Sequence, residues 1–220
     1  MRTQRQRGSI TREGIVNAAL AVADRNGVEH LTIRAVSNAV GAPPMTLYTH
    51  FANKNELLDL MYAEVSRRMY AYQGHSTWQA EILALCHRIR SLLTEHPRWA
   101  VLLSRPAPPL AVPLRENVLR LMVADGMLAT EALMSLSSAV LATIGLVLVD
   151  QSLAKPDGGS TIDDRFERLK EWVETPSGQD NVETRVALSK HEKFELDYLF
   201  QFFVSALIAG LEKKCARKRT

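Results

Sequence analysis

Between Pro44 and Lys54 the chain gathers groups that can meet a polar polymer: Thr46 and Thr49, Tyr48, His50 and Lys54. Short hydroxyls reach base edges or phosphate oxygens, while a phenol and an imidazole N–H suit the phosphates flanking a groove. Lys54 opens a helix, where backbone N–H groups already favour an anion. Pro44 and Met45 begin the same segment. Upstream, Thr32 can both cap a helix and donate to a phosphate, and Arg34 can reach backbone or groove. Other chemistries lack their signatures. There is no Gly-rich phosphate loop, Gly-x-Ser-x-Gly elbow or His-Glu-x-x-His helix. The six histidines show no ligand spacing, so neither a metal nor a cofactor is expected.

These side chains need short, rigid helices to present them. Thr11 is a plausible N-cap for a helix carrying Ile15, Ala18, Ala19 and Val22, which Asn26-Gly27 stops. Thr32 caps a second helix with Ile33, Val36 and Val40 on one face, ended by Gly41. Pro43-Pro44 then fits the first turn of a third, very short helix, in which Leu47 and Phe51 are core. Two short helices joined by a tight glycine turn predict a helix-turn-helix, whose second helix presents its first turn to the major groove. Asn53 to Glu56 fits a capping box for a fourth helix bearing Leu57, Leu58, Met61, Val65 and Met69.

Residues 11–62 resemble the DNA-binding domain of the TetR family of bacterial regulators. The resemblance rests on Leu31-Thr32-Ile33-Arg34-Ala35-Val36, Val40-Gly41, and the block from Leu47 to Leu58, which contains Leu-Tyr-x-His-Phe-x-x-Lys-x-x-Leu. The resemblance implies that Met45–His50 form most of the recognition helix, although the chain departs from the family at Pro43-Pro44, where many members carry Val-Ser or similar small residues. Trp78-Gln79, Leu92-Leu93 before His96-Pro97, and Phe194 to Leu199 followed by Gly210-Leu211 look like the tetracycline-repressor branch. That branch holds its drug with magnesium, yet Trp99–Leu103 contains no His to hold the metal, so no metal-dependent tetracycline response is expected.

The rest reads as one helical domain. Helices are expected from Trp78 to about His96, over Trp99–Leu103, Pro113–Ala124, Thr130–Leu153, Asp164–Val173 and Lys193–Arg217, with Arg105–Pro109 an extended link. Residues 154–185 have loop composition apart from the short helix inside them. The resemblance implies an effector cavity between these helices. An apolar or amphipathic organic effector would draw contacts from Met69, Ile82, Cys86, Ile89, Leu103, Val118, Met122, Leu141 and Ile144. The helices 130–153 and 193–217 carry more apolar surface than a monomer needs. A homodimeric four-helix bundle would use it through Leu136, Val140, Phe194, Tyr198, Phe202, Ser205, Ile208 and Ala209.

The expected class is therefore all-α, with a flexible basic arm over 1–10, a helix-turn-helix domain over 11–62 and a ligand-binding and dimerisation domain over 63–220. Residues 1–12 carry Arg2, Arg5, Arg7 and Arg12 and no acid, although the net charge is only +3. No apolar run follows that arm, so no signal peptide is expected. Ala139–Val149, about three turns long, reads as too short to cross a membrane. Two distant cysteines fit a reducing, cytoplasmic setting. The function expected is a homodimeric repressor on palindromic double-stranded DNA, released by a small molecule. An architectural DNA binder without effector, and an enzyme with a site assembled from distant residues, stay open.

Overall fold

The structure is a computed structural model that describes residues 10–72, 74–153, 162–175, 178, 181–189 and 196–216. Every regular element in them is helical: α1 (Arg12–Asn26), α2 (Ile33–Val40), α3 (Pro44–Leu47), α4 (Lys54–Met69), α5 (Trp78–Glu95), α6 (Ala100–Leu103), α7 (Glu116–Ala124), α8 (Ala129–Leu153), α9 (Ile162–Val173), α10 (Val182–Ser189) and α11 (Leu196–Ala216). Two 3-10 turns, Pro97–Trp99 and Pro109–Arg115, join the middle elements.

Local chemistry sets the boundaries of the first four helices. The hydroxyl oxygens of Thr11 and Thr32 accept from the N–H groups of Gly14 (3.0 Å) and Ala35 (3.1 Å). Gly27 and Gly41, at φ 88° and 75°, end α1 and α2 in backbone conformations that side chains resist. The Asn53 carboxamide accepts from Glu56 N–H at 3.1 Å. Glu56 does reach back, but to the N–H of Ala52 (2.6 Å), one residue before the cap. Ile15, Ala19, Val36, Leu47, Phe51, Leu57 and Met61 close a core beneath the four helices.

Further along, three expectations need revising. The helix expected from Pro113 begins as α7 only at Glu116. Pro113 lacks an N–H and its ring clashes with the preceding turn, so Pro109–Arg115 stays 3-10. Residues 182–185, at the end of the stretch read as loop, and 186–189, assigned to no element, form α10, whose Leu188 packs with Phe166 and Val173 of α9 in a small separate cluster. The apolar stretch of α8 is also longer than the run starting at Ala139. Good helix formers precede that run, and Ala129–Val149 is long and apolar enough to cross a membrane by length and composition, with a mean hydropathy of 2.2. Only 28% of that stretch is buried within the subunit.

The main core runs unbroken from the first helices into the second domain through Met69, Trp78, Trp99 and Leu102. Helix α4 is shared: it packs on α1 and also on α5, α6 and the 109–115 turn. Helix α5 lies against α8 and α7 and forms the centre of the larger domain.

Candidate nucleic-acid interface

Helix α3 is one turn long. Its last residues tighten into i→i−3 bonds, Thr49 N–H to Thr46 O (3.4 Å) and His50 N–H to Leu47 O (2.9 Å). The expected helix Met45–His50 is thus α3 plus a turn, with Pro44 at its first position and Pro43 as its cap. Leu47 and Phe51 anchor it from below, 0% and 3% exposed. Met45 projects at 76% exposure, and Tyr48 is exposed with its ring tilted against Phe51 at 5.9 Å. Tyr48 therefore packs and offers its phenol outward at once.

The hydroxyls differ in what they have left to give. Thr49 donates to the carbonyl of Thr46 (2.7 Å), so its oxygen faces outward as an acceptor. Thr32 accepts from Ala35 N–H, which leaves its own O–H free to donate to a phosphate. Thr46 and His50 are half-buried, whereas Arg34, Pro44 and Lys54 are exposed. Asn53 and Glu56 occupy N–H groups at the start of α4. Attraction for an anion there rests on the Lys54 ammonium more than on open backbone donors.

Sequence reasoning gave Arg12 no role beyond its charge, yet it fastens this surface. Its Nε donates to the His50 carbonyl and its Nη2 to Glu56, both at 3.0 Å. One guanidinium therefore joins α1, the end of the α3 turn and α4. Behind the reading surface, the segment after α5 grips the C-terminal end of α1. His96 Nδ1 lies 2.9 Å from the Asp24 carboxylate and its ring stacks on Trp99 at 3.8 Å. Arg98 donates to the carbonyls of Asp24 (3.0 Å) and Arg25, and Trp99 Nε1 donates to Leu20 O (3.4 Å). Cations suit the negative end of a helix. In the sequence, His96-Pro97 reads as a helix stop and as part of the branch resemblance.

In the larger domain, Met69, Ile82, Cys86, Ile89, Val118, Met122 and Ile144 are buried and belong to one core, with Leu103 packed against it. Leu141 does not join them. It is 66% exposed, because the seven-residue spacing Met134–Leu141–Leu148 keeps all three on the outer face of α8. Leu136 is displaced the other way: it is 1% exposed inside its own subunit and so cannot face a partner. Tyr198 and Phe202 are exposed, as are Ser205 and Ala209, while Val140 and Ile208 are half-buried. Phe194 lies outside the described residues.

The domain also holds polar groups that the apolar reading missed. Glu81 is fully buried. It accepts from His75 N–H (3.1 Å), and its other oxygen lies 3.9 Å from Arg88, which itself donates to the Met69 carbonyl (2.9 Å). Burial pushes the Arg88 guanidinium below its usual pKa, against the pull of Glu81. Burial also pushes the Cys86 thiol up, which keeps it protonated and inert; the Thr143 hydroxyl only partly offsets this. Among the described residues, no three His, Cys, Asp or Glu side chains converge as a metal site.

Comparison with known proteins decides the family. Residues 15–61 match the profile described as bacterial regulatory proteins, tetR family, and residues 72–215 match the tetracyclin repressor-like C-terminal domain. The chain belongs to the TetR family. Among its TetR relatives is the HTH-type transcriptional repressor DrrR1 of Streptomyces coeruleorubidus, 32% identical over 145 residues, which cover 64% of this chain and 52% of that protein. The match thus spans about half the length of that relative. The class E tetracycline repressor protein of Escherichia coli is 24% identical over 212 residues, covering 94% of this chain and 93% of that one. In structure the chain is similar to apo ActR of Streptomyces coelicolor, with a TM-score of 0.75 at 19% identity over 96% of this chain and 98% of that one. ActR has also been solved in complex with actinorhodin; that structure matches with a TM-score of 0.73 at 20% identity, over 94% and 99% of the two chains. TetR membership is that of a regulator family, not of an enzyme family.

Proposed function

We propose that this TetR-family chain is a homodimeric repressor that sits on a palindromic operator and is released by a small organic effector. The observation that carries this reading is the pairing of two outward surfaces over one continuous core. One is the polar reading surface around Met45–Lys54. The other is the apolar face of α8 and α11, where Met134, Leu141, Tyr198 and Phe202 are each more than half exposed. A contiguous apolar face of that kind calls for a partner, and a two-fold copy of itself is the economical one. The dimer seam would then use Val140, Tyr198, Phe202, Ser205, Ile208 and Ala209, joined by Leu141 and Met134 and without Leu136. Covering α8 in this way also accounts for its low burial without a membrane, so the chain works beside DNA in the cytoplasm.

A dimer presents two reading surfaces, which must meet successive major grooves about 34 Å apart. Thr32, Arg34, Tyr48, His50 and Lys54 serve the phosphates, while Pro44, Met45, Thr46 and Thr49 face the bases. The hold of His96, Arg98 and Trp99 on α1, together with the unbroken α4, makes each reading surface move with the larger domain. An effector seated among Met69, Ile82, Cys86, Ile89, Leu103, Val118, Met122 and Ile144, and preferring a mis-spaced dimer, shifts the population off the operator. Actinorhodin in ActR and the drug in the names of the tetracycline repressors support a small organic effector. Screening apolar and amphipathic organic compounds for release of operator DNA tests the reading. Release by at least one, without added metal, is expected; a panel in which none changes operator affinity favours constitutive repression.

A further inference from the structure

A groove of about 410 Å³ opens where α1, α4 and the 3-10 turn 109–115 meet. Its floor is aliphatic: Val16 from α1, Leu60 and Ala63 from α4, and Leu110 and Leu114 from the turn. Its rim carries Arg12, Glu13, Glu64 and Arg67. None of the residues assigned above to the effector cavity lines it, so it is a separate place. It lies on the seam between the reading unit and the larger domain, a common position for small-molecule sites, and its volume falls within their usual range of roughly 300–1,000 Å³.

The charges on the rim define the occupant, because they are matched within the protein. Arg12 is paired with Glu56 at 3.0 Å. Glu64 has both oxygens engaged, by Arg67 at 2.8 Å and by Arg68 at 2.9 Å. Glu13 attracts Arg67 from the opposite wall. A charged ligand would gain little from a rim already neutralised and would compete with these pairs, whereas an uncharged hydrocarbon body would cover the aliphatic floor. Leu110, 48% exposed over the groove, has the most to gain from being covered. The second Nη groups of Arg12 and Arg67 point to a carbonyl or ether on such a body as the polar contact.

We infer that this groove is a second small-molecule site, selective for uncharged, hydrocarbon-rich ligands. An occupant would touch Arg12, whose side chain holds the His50 carbonyl, and would bridge α1 to the turn on the far side of α4. The site stands on this geometry alone and does not depend on the effector reading.

Fluorescence titration of the full chain with the uncharged dye N-phenyl-1-naphthylamine tests it. Saturable binding is expected, weakened about tenfold or more by Ala63→Trp, which fills the floor, and by Leu110→Asp, which puts a charge on the wall. Circular dichroism checks that each variant is folded; Leu110 is exposed enough for its variant to decide alone if Ala63→Trp is not. Weakening in a folded variant supports the site. No saturable binding to the unaltered chain, or unchanged binding in every folded variant, overturns it.

Discussion

Arg98 donates a hydrogen bond to the main-chain carbonyl of Asp24 at 3.0 Å, tying the segment after α5 to the last turn of α1. The two residues belong to different functional units, so the bond carries position from one to the other. The stacking of His96 on Trp99, and the bond from Trp99 to Leu20 O, give that bond a stiff base.

Arg98→Ala should therefore uncouple the units without unfolding either. Because Arg98 is exposed, the loss of stability should be at most about 1 kcal/mol. Operator affinity should fall more than that figure implies, and release by an effector should become less steep. Urea unfolding and operator titrations of the same preparation separate the two effects. Equal affinity and unchanged release would mean the contact transmits nothing.

Two variants of the reading surface should behave differently. Lys54→Ala removes a phosphate contact, so binding should weaken on every sequence alike and the salt dependence should drop by roughly one phosphate. Thr46→Ala should instead change which base pairs are preferred, by about 1–3 kcal/mol at the contacted position. Anisotropy titrations over a salt series and a panel of single-base operator variants distinguish them.

Phe202→Asp should split the dimer, since Phe202 is 64% exposed among the described residues of the subunit. Leu136→Ala should leave the dimer intact and cost about 2–5 kcal/mol of subunit stability, because Leu136 is 1% exposed inside the core. Sedimentation velocity and urea midpoints report the two outcomes. A dimer lost on Leu136→Ala but kept on Phe202→Asp would reverse the assignment of the α8 faces.

Burial pushes the Tyr70 phenol up to about 12 from its ordinary 10.0, although nearby Arg115 pulls it down. The folded state thus holds the proton more tightly than the unfolded chain does. Its contribution is fully present below pH 10 and is lost as the pH rises from 10 towards 12, by on the order of 2–3 kcal/mol. Tyr70→Phe should flatten that decline, as measured by denaturant midpoints between pH 9 and 11.5. An equally steep fall in the variant would assign the loss to other groups.

Much of the reading unit was legible because its signals are local. Thr11, Thr32 and Asn53 act as caps, and Gly27 and Gly41 as stops, through atoms only a few residues away. Apolar residues at helical spacing likewise placed α5, α8 and α11. What escaped depends on distance or on competition. Arg12 meets His50 and Glu56 across 38 and 44 residues, and Arg98 meets Asp24 across 74. No periodicity announces such pairs. Leu136 and Leu141 both suit an apolar stripe, but α8 is apolar all round, so the pattern could not say which face turns inward. Nothing in the sequence singles out Glu81, which only packing encloses.

The central claim is that two copies of this chain read one palindrome. Its most direct test is anisotropy titration of the protein on DNA from upstream of its own gene, against a scrambled duplex of equal length, with the stoichiometry measured at saturation. The account predicts preference for the upstream duplex by about a thousandfold or more, with subunits bound in multiples of two. Equal affinity for both duplexes, or one subunit per site, would contradict it.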